Sequence, residues 1–361
     1  MDTINRYLKW DNDVIGIINE NNNVTFIAPN YNKVIALYTN GCNEWSPDEW
    51  SEFLSERIVN HNRRDIERIM FRMGLSKYDV LRIAEITRAI HPKDLLWIAR
   101  SQKEKLSEAM TEVFSSVFKK RIDLIGSSVD SPEGYNIKRY GVYEGEYGIY
   151  KHRISPLHTD VESEVAVSLL ASKLGVSACP AVKTEKDVVF STFLFDFSSE
   201  YIVHFRRLFD GARSDNEYRN LVSVRPQYRD EVARMILLDF ITRQDDRHLS
   251  NIAIKVSVDN ESFYPLYDNG RSLFYEDTKE LVVQAVNDPT KYATAFGYAG
   301  TYWDYVQEIA SERGGLDGLI DMDINENEIK DILSKSGFIG YRFDGAFKWI
   351  YKTLDIVRSL G

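Results

Sequence analysis

The chain has 361 residues, 43% of them hydrophobic and 12% aromatic, which is enough apolar material for roughly two or three domains with buried cores. A formal net charge of −10 argues against a general binder of nucleic acid or of anionic membrane surfaces. Two cysteines, Cys42 and Cys179, supply no disulfide framework and suit a reducing, cytoplasmic compartment, and no apolar run approaches the ~20 residues of a membrane span.

The opening stretch, MDTINRYLKWDND, is too polar for a signal peptide. Residues 1–45 form a β-rich segment in this reading, with apolar runs at 14–18, 24–27 and 34–37 divided by Asn-rich turns. A small antiparallel sheet is expected there. Residues 46–120 change character to a helical domain. Ser46-Pro47-Asp48-Glu49 combines a cap, a first-turn proline and acids near the positive helix end, and further helices fit 65–73, 77–89, 92–100 and 103–118. Short helices of this kind suit either a helix-turn-helix reader of DNA or a plain docking domain. From Glu44 to Lys105 there are twelve Lys/Arg against eleven Asp/Glu, without the basic excess of a DNA-reading face, so the docking domain is favoured.

From 121 the pattern turns strand-rich. A strand over 122–125 leads into the small-residue loop Gly126-Ser-Ser-Val-Asp-Ser-Pro-Glu-Gly134, then a hairpin of 135–143 and 146–153 around Glu144-Gly145. Small residues such as Ser127 and Ser128 let backbone N–H groups approach phosphates closely, although the loop matches neither G-x-G-x-x-G nor a Walker sequence and also reads as a surface turn. Lys151, on the second arm, is either a phosphate-binding point charge or a solvated lysine. Asp160-Val-Glu-Ser-Glu164 opens a helix over 165–174 that Gly175 closes. Glu162 and Glu164 also fit plain first-turn residues favoured by the helix dipole. Residues 188–197 form a strongly apolar strand with Asp196 near its end.

The richest stretch is 226–270. Val232, Met235, Ile236 and Phe240 recur at helical spacing, and the helix runs into Arg243-Gln-Asp-Asp-Arg-His-Leu-Ser-Asn251. Two strands follow, the second at 263–267, ending in Asp268-Asn269-Gly270. Asp246, Asn251 and Asp268 can converge as hard oxygen ligands of the kind Mg²⁺ takes alongside substrate phosphates, though singly each also reads as a turn residue. Beyond 270 the chain reads as helical at 278–286, 302–311 and from 342 onward.

The motif D-R-H-x-x-N, here Asp246-Arg-His-Leu-Ser-Asn251, closely resembles the catalytic loop of the HipA-like Ser/Thr kinases and more distantly that of phosphoinositide 3- and 4-kinases. Gln244 departs from the Asn usual in the family two residues before the Asp. The resemblance covers roughly 121–361 and includes Glu164 followed by Leu170-Ala-Ser-Lys-Leu-Gly175. It implies an α+β, bilobal protein-kinase-like fold: a β-rich small lobe at 121–197 and a helical large lobe at 198–361, preceded by the small β and helical N-terminal segments.

It further implies ATP and Mg²⁺ as cofactors and phosphorylation of a protein Ser or Thr. Lys151, held by Glu164 with Glu162 as the fallback, binds the α/β-phosphates; Asn251 and Asp268 hold Mg²⁺; Asp246 orients the substrate hydroxyl and accepts its proton; His248 braces the loop. Backbone groups of Leu194, Phe195 and Asp196 contact adenine. Family members often act as toxins paired with an antitoxin, and some phosphorylate a Ser in their own nucleotide loop, for which Ser127, Ser128 and Ser131 are the positional candidates. The alternatives are a lipid kinase of the phosphoinositide type, for which the membrane-binding surface is missing, and a non-catalytic nucleotide-binding regulator whose N-terminal domain contacts DNA or a partner protein.

Overall fold

The computed structural model describes residues 6–62, 66–91, 93–118, 138–196, 199–209, 215–257, 260–293 and 300–361. The nucleotide-loop residues Ser127, Ser128 and Ser131 and the strand expected at 122–125 lie outside them. The architecture is mixed α/β, with several small sheets and many helices, and the chain divides into two units. One comprises Met1–Lys151, Phe195–Val203 and Lys255–Glu261; the other comprises His152–Leu194, His204–Ile254 and Ser262–Gly361. Among the described residues no helix is long and apolar enough to cross a membrane.

The first unit opens with β1 (Arg6–Trp10), β2 (Asp13–Ile18) and β3 (Val24–Phe26), followed by α1 (Lys33–Thr39), β4 (Glu44–Trp45), α2 (Pro47–Ser55), α3 (Ile66–Arg72), α4 (Val80–Thr87), β5 (Leu96–Ala99) and α5 (Leu106–Phe118). The five strands form one sheet in the order β4-β3-β2-β1-β5. Two expectations fail here. The run 34–37, expected as a strand, is helix α1: the Asn32 side chain accepts from the Ile35 N–H at 2.9 Å, and Asn40 closes the helix in the left-handed region at φ 50°. A four-residue apolar run carries no period that separates strand from helix, so the flanking asparagines decide.

Conversely, 92–100, expected as a helix, supplies β5. Its four residues are all buried, leaving no polar face for a surface helix, and they pair antiparallel with β1 from Tyr7↔Ala99 to Trp10↔Leu96. Asp94, just ahead, is fixed by a bidentate Arg57 at 2.7 Å to each oxygen. Hydrogen bonds therefore cross the expected boundary at 45/46, since β5, from the stretch expected to be helical, pairs with β1. The unit also holds the hairpin of β6 (Lys138–Tyr143) and β7 (Glu146–His152), turned by Glu144 and Gly145 at φ 52° and 88°.

The second unit contains α6 (Asp160–Lys173) and the hairpin of β8 (Ala181–Glu185) and β9 (Val188–Thr192). The strand expected over 188–197 stops at Thr192. The unit also holds α7 (Glu217–Val224), α8 (Arg229–Thr242), α9 (Lys279–Asn287), α10 (Pro289–Tyr292), α11 (Tyr302–Arg313), α12 (Glu326–Ser336) and α13 (Gly340–Arg358), while β10 (Glu200–His204), β11 (Ala253–Ser257) and β12 (Glu261–Phe263) have residues in both units.

Helix α8 is the spine of this unit. Apart from Arg234, every residue from Val232 to Thr242 is buried, as befits a helix enclosed on all sides. Helix α13 locks onto it through Trp349, whose Nε1 donates to the Phe240 carbonyl at 3.2 Å. The strand expected at 263–267 is shifted: β12 ends at Phe263, and Leu266 instead bridges parallel to Ala178, its N–H on Ser177 O at 3.0 Å and its carbonyl accepting from Cys179 N–H at 2.8 Å. That bridge anchors the chain just before Asp268.

Candidate active site

Helix α8 ends at Arg243 in the left-handed region, φ 51°, and releases the loop that carries Asp246. The loop is held by its own side chains. Gln244 Oε1 accepts from the Asp246 N–H at 2.9 Å while its Nε2 donates to the Asp268 carbonyl at 3.2 Å. The departure from the family's Asn thus leaves the loop tied on both sides. Asn251 closes it by donating from Nδ2 to the Asp246 carbonyl at 2.8 Å. His248 braces the turn as expected, its Nδ1 accepting from the Ser250 N–H at 3.2 Å.

Sequence reasoning missed the group at the centre. Arg247 is fully buried. Its guanidinium grips Asp239 with Nε at 2.9 Å and Nη2 at 3.0 Å, and donates to Asn269 Oδ1 at 2.6 Å, Tyr267 O at 2.8 Å and Asn251 O at 3.2 Å. One cation therefore ties α8, the Asp246–Asn251 loop and both neighbours of Asp268. Such a bidentate, multiply bonded arrangement suits Arg and not Lys. Burial pushes the Asp239 carboxyl up from its ordinary range, and Arg247 works against that shift. Tyr302 OH donates to the same carboxylate at 3.3 Å. An acid on the apolar face of α8 was the available signal, because a buried carboxylate requires a partner.

Asp268 itself sits at φ 58°, and Leu273 and Phe274 follow at 51° and 63°. Bulky residues rarely adopt that region, so the segment is held there by its surroundings. Tyr267 contributes: its hydroxyl donates to Ser250 O at 2.8 Å and lies 2.8 Å from His204 Nδ1. Helix α6 contributes too. Ser163 Oγ donates to Ser272 O at 2.8 Å, and Thr159 N–H donates to Tyr275 O at 2.8 Å. Glu164 is buried on this helix beside Gly270. A Cβ at 270 would stand 3.2 Å from Glu164 Oε2 and 3.2 Å from the Asp160 carbonyl.

Glu162, the fallback partner for Lys151, is already occupied: Arg153 holds both its oxygens at 2.6 and 2.8 Å, and Lys183 reaches one at 2.7 Å. Burial alone would raise its pKa, but these two cations keep it below the ordinary range. Lys151 is buried near the end of β7, in the first unit, directly across the ladder from Lys138, which is also buried. Opposed positions on an antiparallel pair share a face, so the hairpin presents two lysines together, a feature the sequence reading did not note. In the expected adenine segment, Leu194 N–H donates to Tyr264 OH at 3.0 Å, Phe195 is half-buried, and Asp196 N–H donates to Glu200 Oε2 at 2.8 Å.

Among the described residues no group of three or more His, Cys, Asp or Glu is gathered as a metal centre. Asn251 is buried, and its Nδ2 is taken by the Asp246 carbonyl.

No family model and no curated protein matches the chain. Solved structures do match. A chain of the Shewanella oneidensis MR-1 toxin–antitoxin complex of HipA, HipB and operator DNA aligns with TM-score 0.53 and 12% identity, covering 98% of this chain and 99% of that one. The Helicobacter pylori proinflammatory kinase CtkA aligns with TM-score 0.48 and 14% identity, covering 64% of this chain and 90% of that one. The first of these alignments includes most of the first 120 residues, which the motif resemblance leaves outside. At such identity the likeness is one of fold, and the fold this chain shares is that of a HipA toxin–antitoxin structure.

Proposed function

We propose that the chain transfers the γ-phosphoryl group of Mg-ATP to a Ser or Thr hydroxyl of a protein. The observation that carries this reading is the Arg247 guanidinium, which binds Asn251 O, Tyr267 O and Asn269 Oδ1 together and so holds the Asp246–Asn251 loop against the segment bearing Asp268. Asp246 orients the acceptor hydroxyl and takes its proton as the new O–P bond forms and the bond to the β–γ bridging oxygen breaks, releasing ADP. Asn251 and Asp268 hold Mg²⁺, with Nδ2 of Asn251 already committed to Asp246 O and its amide oxygen the ligand atom. The ion's contribution is charge neutralisation on the phosphates.

Lys151 is assigned to the α/β-phosphates with Glu164 as its partner, and the Leu194–Asp196 stretch to adenine. The bilobal division into 121–197 and 198–361 belongs to the same reading. A protein antitoxin is the partner class we favour, since the fold is shared with a HipA–HipB complex. Label from γ-labelled ATP is expected on a protein band with wild type and not with Asp246→Asn. An Asp246→Asn chain that labels as well as wild type would reject the assignment.

A further inference from the structure

The residue immediately after the Asp268-Asn269-Gly270 turn has no role in the scheme so far. Arg271 is side-chain exposed to 42%, yet it is held at several points. Its carbonyl accepts from the Asp245 N–H at 3.1 Å, which pins its backbone to the loop. Its Nε donates to Tyr275 OH at 2.9 Å, and its guanidinium carbon lies 5.2 Å from the centre of the Tyr275 ring. From that perch Nε stands 3.5 Å from Asp245 Oδ1 and Nη1 stands 3.4 Å from Asp246 Oδ1.

Resting on the kinase reading, we propose that Arg271 is a positioning residue for Asp246, delivered to the loop by the same segment that carries Asp268, with Asp245 as the anchor that keeps it there. The bridge is two-ended and made of charge contacts: Nε, whose N–H goes to Tyr275 OH, stands beside Asp245, and Nη1 stands beside Asp246. Arg243, the other nearby cation, is engaged elsewhere, donating to Asp277 Oδ2 at 2.6 Å and lying over the Phe274 ring at 4.8 Å. Asp245 Oδ1 is buried and, among the described residues, makes no hydrogen bond, so the Arg271 charge is its nearest compensation. A side chain that sets the direction of the Asp246 carboxylate acts on the transition state and not on nucleotide affinity, because misplacing a reacting group by ~1 Å costs up to about 100-fold in rate.

The test is steady-state kinetics of Arg271→Gln, Arg271→Lys, Asp245→Asn and the double variant, each checked by thermal melting in the absence of nucleotide. Arg271→Gln is expected to lower kcat ~10–100-fold with KM for ATP within about twofold, and Arg271→Lys to recover part of the loss by restoring charge without the two-ended bridge. Asp245→Asn should cost less, and nothing further in the Arg271→Gln background, because Asp245 acts through Arg271. The melts should show a coupling between 245 and 271 of the same sign. An active wild type beside an Arg271→Gln that turns over equally fast overturns this inference alone, as does a Gln variant whose loss lies in KM, or an Asp245→Asn loss that simply adds. A wild type that transfers no phosphate under any condition removes the kinase reading with it.

Discussion

Replacing Arg247 with Met removes the cation that joins Asp239, the loop and the Asp268 segment. Breaking a buried ion pair from one side costs about 3–5 kcal/mol, because Asp239 stays fully buried without its counter-charge. Three further acceptors, Asn251 O, Tyr267 O and Asn269 Oδ1, lose a donor, at ~1–3 kcal/mol for each that water or relaxation fails to reach. Proton uptake by Asp239, whose carboxyl burial already pushes upward, caps the first part. With the acceptor losses offsetting that cap, the loss is about 3–5 kcal/mol out of the ~5–15 kcal/mol that folded domains possess, or on the order of 10 °C in melting temperature for a unit of this size.

Urea unfolding followed by tryptophan fluorescence reads it, since Trp349 and Trp303 lie against α8 and report on this unit. The control separates stability from catalysis. Asp239→Leu with Arg247→Met removes both charges and should recover half or more of the stability while phosphotransfer stays lost, because the loop and the Asp268 segment remain untied. An Arg247→Met chain that melts within about 0.5 kcal/mol of wild type, the range of an ordinary surface change, would refute the reasoning.

Three other outcomes follow from the same geometry. Tyr267→Phe deletes the hydroxyl that donates to Ser250 O and meets His204; it should cost about 1–2 kcal/mol and raise the Mg²⁺ concentration for half-maximal activity, and an unchanged Mg²⁺ curve would show that this brace does not reach the metal-binding pair. Burial pushes the Asp245 carboxyl up to about 7. The folded chain then binds more protons than the unfolded chain between about pH 4 and 7, so this group's contribution to stability falls as pH rises through that window. Asp245→Asn should flatten the decline in urea midpoint from pH 5 to pH 8, and an identical slope would contradict it. Gly270→Ala places a methyl 3.2 Å from Glu164 Oε2 and from Asp160 O, and a loss of about 1–3 kcal/mol is expected; a neutral effect in thermal melting would mean that α6 yields at this point.

The place of the loop after α8 was legible because it is local. Asp246, His248 and Asn251 lie within six residues, while the bonds they make, Asn251 Nδ2 to Asp246 O and Ser250 N–H to His248 Nδ1, are seen only in the structure. Helix α8 was legible from its period, and the start of α2 from Ser46-Pro47-Asp48-Glu49, to which the structure adds a reciprocal capping box with Glu49 Oε2 accepting from the Ser46 N–H at 2.7 Å. What failed were short apolar runs without a period: 34–37 became helix and 96–99 became strand, each decided by neighbours far along the chain or by caps. Arg247–Asp239 was hidden in plain view, since Asp239 shares the face of α8 with Val232, Met235 and Ile236 and an acid there demands a cation. The Arg271 bridge and the contact of Glu164 with Gly270 depend on tertiary approach of segments that the sequence does not pair.

The most direct test of the central claim is phosphate transfer from γ-labelled Mg-ATP in a lysate, wild type beside Asp246→Asn, with nucleotide binding measured on both purified proteins. The account predicts a labelled protein band with wild type, none with the variant, and retained ATP binding in both. Equal labelling by the two, or a folded wild type that binds Mg-ATP and labels nothing, would contradict it.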